Sequence, residues 1–158
     1  MNSNYLKSLR IVYFALAMGI VAFMLLTLFL NKLNGPFSET DLSQAERIPF
    51  FIVIVVLTAA SFMVYKAVVP GKLKTIQELP SLDRKLAAWR ELSILQGALI
   101  EAPAFFALVL FLLLGEYTLL IWPVAGLALF WFRQPTRESL IREAKLSSNE
   151  IAEFDKSE

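Results

Sequence analysis

The sequence predicts an all-α protein: an integral membrane four-helix bundle with both termini cytoplasmic and short amphipathic helices on that side. Three observations predict it. Hydrophobic residues make up 57% of the 158-residue chain and mean hydropathy is +0.60, too apolar for an ordinary water-soluble domain. The apolar residues gather into four runs, at about residues 11–30, 48–66, 92–114 and 118–132, and about 20 such residues carry a helix across a bilayer. Thirteen of the fifteen Lys and Arg, counting Lys66 that closes the second run, fall before the first run, between the second and third, or after the fourth, and Lys/Arg excess marks cytoplasmic segments. Residues 1–133 are thus the expected membrane domain and 134–158 a cytoplasmic amphipathic tail.

Composition also excludes chemistry. The chain has no Cys and no His, which removes disulfides, thiol catalysis, His-ligated haem and the usual zinc sites. No pair of carboxylates and no activated serine falls in a plausible site. No enzyme activity, catalytic residue, metal or cofactor is expected.

The basic start, with Lys7 and Arg10, precedes an apolar run longer than a signal-peptide core, and no small-residue cleavage site follows it. A retained first span is expected. Within it Ala15, Gly19 and Ala22 share a face at the spacing that lets helices approach closely. Asn34-Gly35-Pro36 stops that helix, and the loop after it is acidic. Glu39, Asp41 and Glu46 could be imagined around a metal, but a solvated loop explains them.

The second span opens with Pro49 in its first turn and is closed by Lys66. Its β-branched stretch would suit a buried strand in water; in lipid a lone segment satisfies its backbone only as a helix. Thr58 to Ser61 form a weakly polar patch whose hydroxyls are expected to bond their own helix. Pro70-Gly71 predicts an end to that helix. Ser81 then caps a new one, with Asp83 in its first turn and Leu82, Leu86 and Trp89 along one face. That helix is expected to lie on the membrane surface or to enter the third span unbroken.

Gly115-Glu116-Tyr117 makes a tight turn into the fourth span, where Trp122 sits deep for an interfacial aromatic. In the tail, Thr136 caps a short helix with Leu140, Ile141 and Ala144 on one side. Ser147 and Glu150 form a capping box for another, ending near Phe154. No nucleic-acid patch is present; a surface-lying or partner-facing tail is expected.

One residue breaks the apolar pattern. Glu101 lies within one turn of the middle of the third span, where an ionisable group costs at least about 2.5 kcal/mol. Ser93, Gly97, Glu101 and Ala104 share a face, so the acid is expected in a crevice edged by Gly97 that disfavours its charged form. Pro103 frees the Leu99 carbonyl, and Gln96 is a further hydrogen-bonding group nearby.

The string GALIEAPAFFALVLFLLL, residues 97–114, resembles the carboxylate-bearing helix of the ATP-synthase c-subunit, the rotary proteolipid. The resemblance implies that Glu101 carries a proton or ion, with Gln96 or Ser93 as auxiliary ligands. The chain departs from that family in having only six glycines and no internal repeat. As a whole it resembles the small four-helix inner-membrane proteins of bacteria.

The functional expectation is a multi-pass protein of the bacterial inner membrane, a scaffold or accessory subunit in which Glu101 is a buried structural acid. Its expected partners are the lipid bilayer and other membrane subunits or a second copy. The alternative is a transport component that moves protons or ions on Glu101.

Overall fold

The computed structural model describes residues 5–37 and 43–157. They form helices α1 (Tyr5–Asn34), α2 (Gln44–Gln77), α3 (Leu82–Leu114), α4 (Ile121–Phe132), α5 (Arg137–Ala144) and α6 (Ser148–Ser157), with a 3-10 turn, Tyr117–Leu120, leading into α4. No strand occurs among the described residues.

Three helices, α1, α2 and α3, are long and apolar enough to cross a membrane. At 30, 34 and 33 residues they extend about 45 to 51 Å, well beyond roughly 30 Å of hydrocarbon. The fourth apolar run is shorter, and its first turn is 3-10. Four residues of 3-10 and twelve of α-helix reach only about 26 Å.

The packing centres on α3, which has fourteen buried residues against five in α1 and three in α2. Small residues bring its neighbours close. A Cβ on Gly97 would lie 3.0 Å from Leu16 of α1 and 3.6 Å from Phe130 of α4. On α4, a Cβ on Gly126 would come within 3.3 Å of Ala104. The outward faces of α1, α2 and α4 carry exposed Phe14, Leu25, Ile52, Val56, Phe62, Val124 and Trp131, a surface suited to lipid.

Gly115 ends α3 in the left-handed conformation, at φ 71°, and its N–H donates to the Phe111 carbonyl at 2.8 Å. Pro36 packs so near that a Cβ there would sit 3.2 Å from it, so both conformation and space require glycine. Phe37 N–H reaches the Leu112 carbonyl, and Arg47 pairs with Glu116. These contacts tie both loops together at this end of the bundle.

In α2 two sequence expectations give way, one at each end. α2 does not stop at Pro70-Gly71 but runs on to Gln77, and it starts early enough that Pro49 lies past the first turn. Interior Pro and Gly together cost about 4 kcal/mol. Burial of Val69 and Ile76, with Leu73 packed beside them, offsets that at about 1.5–3 kcal/mol each. α3 begins at Leu82 as expected and enters its apolar stretch without a break.

The tail folds back onto the basic end, where α2 finishes and α3 begins. Thr136 caps α5 and Ser147 with Glu150 caps α6, as the sequence indicates. Leu140, Ala144 and Phe154 are buried against Leu9, Ile76, Leu86 and Trp89, and Phe154 meets the Tyr5 ring edge-on at 6.5 Å. The polar links are specific. Trp89 Nε1 donates to Glu143 at 2.9 Å, Gln77 to the Glu143 carbonyl at 2.9 Å, and Lys85 to Glu150 at 2.8 Å. Arg137 grips Asp155 with two bonds of 2.9 and 2.7 Å, joining α5 to α6.

Two outcomes test this docking. Phe154→Ala removes a fully buried ring, a change that costs about 3–5 kcal/mol; amide exchange and proteolysis across residues 148–157 are expected to accelerate sharply at neutral pH. The bond from Lys85, with the Ser147 N–H, holds the Glu150 carboxyl below the usual carboxylate range, and Arg137 does the same for Asp155. A depressed folded value gives stability that is present above about pH 4 and lost as pH falls through the folded value. Trp89 fluorescence is expected to report tail release only below about pH 4, and Glu150→Gln should shrink that transition.

Candidate functional site

Glu101 is carried by α3 and directed at α1. A Cβ on Gly19 would lie 3.7 Å from its Oε1 and 3.7 Å from Phe105. One turn away Phe105 packs on Phe23 of α1, ring centroids 5.3 Å apart. The carboxyl therefore rests on the only side-chain-free position of that stretch of α1. Glu101 is half-buried, and no hydrogen bond or ion pair reaches it among the described residues.

The residues grouped with it by sequence go to different places. Gly97 and Ala104 lie in the contact of α3 with α1 and α4. Ser93 is buried, but its hydroxyl donates to the Trp89 carbonyl at 2.8 Å, and its own carbonyl accepts from Tyr13 at 2.7 Å. Gln96 turns from α1 toward α2 and α4. At about 100° per residue it points some 140° away from Glu101 around α3. Neither Gln96 nor Ser93 joins the acid. On α1, Gly19 meets α3 while Ala15 and Ala22 stay exposed.

Beside Glu101, between α1 and α2, α3 presents an unpacked strip in which Ala98, Ala102, Val109 and Leu113 are exposed. An acid at the edge of such a strip can meet lipid or a neighbouring helix.

A second feature was not legible in advance. A cavity of ≈ 380 Å³ lies between α2, α3 and α4, and Gln96, Leu99, Ile100, Pro103 and Ala104 form its α3 wall. Trp122 Nε1 donates to Thr58 Oγ1 at 2.9 Å, while the Thr58 hydroxyl donates to the Ile54 carbonyl at 2.7 Å. This pair explains the unusual depth of Trp122, the one signal that pointed here. At the basic end the Arg133 guanidinium lies over the Tyr65 ring, 4.5 Å from its centroid.

Among the described residues no group of His, Cys, Asp or Glu is placed to hold a metal. Of the acidic trio considered for one, Glu39 and Asp41 fall outside the described residues, and Glu46 caps α2 through Ser43. Compared with known proteins, the chain matches no family model, no curated protein and no solved structure.

Proposed function

We propose that this chain is a multi-pass protein of the bacterial inner membrane, with both termini cytoplasmic and α4 completing a four-helix bundle, acting as an accessory subunit of a membrane complex. The observation that carries the reading is Glu101: an acid in the middle of an apolar helix, half-buried, with no partner among the described residues and beside an unpacked strip of α3. Left toward lipid, such a group costs at least about 2.5 kcal/mol. A neighbouring helix laid over Ala98 and Ala102 could approach closely and offer it a donor, removing that cost. The acid then sets which way the neighbour faces rather than binding it strongly, since interhelical bonds average only about 0.6 kcal/mol.

The second reading is proton or ion translocation on Glu101. It draws on the same unpartnered carboxyl and on the likeness of residues 97–114 to the proteolipid helix. Of the auxiliary ligands that likeness implies, Ser93 donates to the Trp89 carbonyl and Gln96 lines the cavity on another side of α3, so the accessory reading is preferred.

Carbodiimide modification separates the two. In intact membranes the accessory reading expects slow labelling of Glu101 that rises once detergent strips the complex apart. Translocation expects ready labelling in intact membranes that weakens as pH rises, together with loss of ion movement in Glu101→Gln. For an accessory subunit Glu101→Gln keeps the complex, while Glu101→Leu is expected to weaken association about threefold by quantitative native electrophoresis. Equal association of all three forms would remove the reading.

A further inference from the structure

We propose that the cavity between α2, α3 and α4 binds one acyl chain of an anionic phospholipid drawn from the leaflet at the basic end of the bundle. The argument begins with depth. One end of the cavity is marked by Thr58 and Pro103, each near the middle of its apolar run, and by Trp122, five residues into the fourth. Its other end is marked by Tyr65, Gln96 and Arg133, where the apolar runs of α2 and α4 give way to basic residues. Along α4, Trp122 to Arg133 is about 16 Å, and half of a roughly 30 Å hydrocarbon core is about 15 Å. The cavity thus spans the acyl region of one leaflet and stops where that leaflet stops.

Its chemistry changes along that length as a lipid's does. Phe62, Leu99, Ala125 and Leu129 make the walls apolar for most of it, and the volume of ≈ 380 Å³ falls within the range of small-ligand sites. At Tyr65, Gln96 and Arg133 it meets a second, polar cavity of ≈ 390 Å³, bordered by α5 and the link from α4. There Arg133 and Arg142 supply positive charge, Thr136 supplies a hydroxyl that accepts from the Ser139 N–H and can still donate, and Arg10 stands close by with its Nε on the Pro135 carbonyl at 3.2 Å. The one carboxylate in that wall, Glu143, is held by the Trp89 indole N–H, and cations remain in excess. A chain slot one leaflet deep that opens into a cationic pocket is complementary to an anionic headgroup with its tail attached. A transmembrane helix of a partner would find no reason in it for the charge.

Bromine-labelled lipids test this in the full-length protein. Trp122 stands at the deep end of the slot, so phospholipid brominated near mid-chain quenches it when a tail is seated there. The signal from Trp122 is the difference between the native protein and Trp122→Phe in mixed vesicles. Brominated phosphatidylglycerol is expected to quench it in preference to brominated phosphatidylcholine by about fivefold for each guanidinium engaged. Arg133→Gln should lower that preference about fivefold, and Arg133→Lys, which keeps the charge, should retain it. Ala125→Leu, which fills the slot, should abolish the quenching of Trp122 by either lipid. Equal quenching by the two lipids in the native protein would overturn the headgroup assignment. Undiminished quenching in Ala125→Leu, or no quenching of Trp122 by any lipid because a second copy or partner helix fills the groove, would overturn the site.

Discussion

Contact with α3 is the constraint on which the rest of this fold depends. It is the one long helix with a side for each of the others: Gly97 and Ala104 toward α1 and α4, Pro103 and Leu110 toward α2, and Leu86 and Trp89 toward the tail. The other long helices leave most of their surface uncovered. Lipid tails are as apolar as leucine and give helices no hydrophobic reason to gather. In a bilayer, close backbone approach at small residues would then supply the cohesion, and α3 carries Gly97 and Ala104 at such contacts.

Outside the apolar stretches the balance differs. Where α1, α2 and α3 run on past the apolar runs, burying Leu9, Trp89, Leu140 and Phe154 withdraws apolar area from water, at about 25 cal/mol per Å². Leu9, Leu140 and Phe154 are fully buried there, as Ile20, Ile54, Leu108 and Phe111 are within the apolar stretches, and Trp89 and Lys85 each find a carboxylate at the basic end. The molecule has an apolar half with its own buried cluster around Ile54 and Phe111 and a cap of tail helices, joined by continuous helices. Glu101 belongs to the first half, where packing alone does not satisfy it.

Much of this was readable from the sequence. The apolar runs, the helix start after Ser81, the glycine stop at 115 and both tail caps depend on local chemistry within a few residues, and the structure contains each of them. What the sequence could not show depends on distant partners. The persistence of α2 through Pro70 rests on Val69 and Ile76 meeting a tail far along the chain. The placing of Gln96 opposite Glu101 follows from helix rotation, which short spacings do not fix when α3 has neighbours on three sides. The pairing of Thr58 with Trp122 joins residues 64 positions apart, and only the odd depth of the indole hinted at it.

The tail has a consequence for how the molecule is completed. α5 and α6 are the last helices in chain order, yet they cover Tyr5, Lys85 and Trp89, which emerge from the ribosome far earlier. Before α5 and α6 are made, Tyr5, Leu86 and Trp89 lack the cover that those helices supply. α5 and α6 thus close over a surface that the earlier helices leave open.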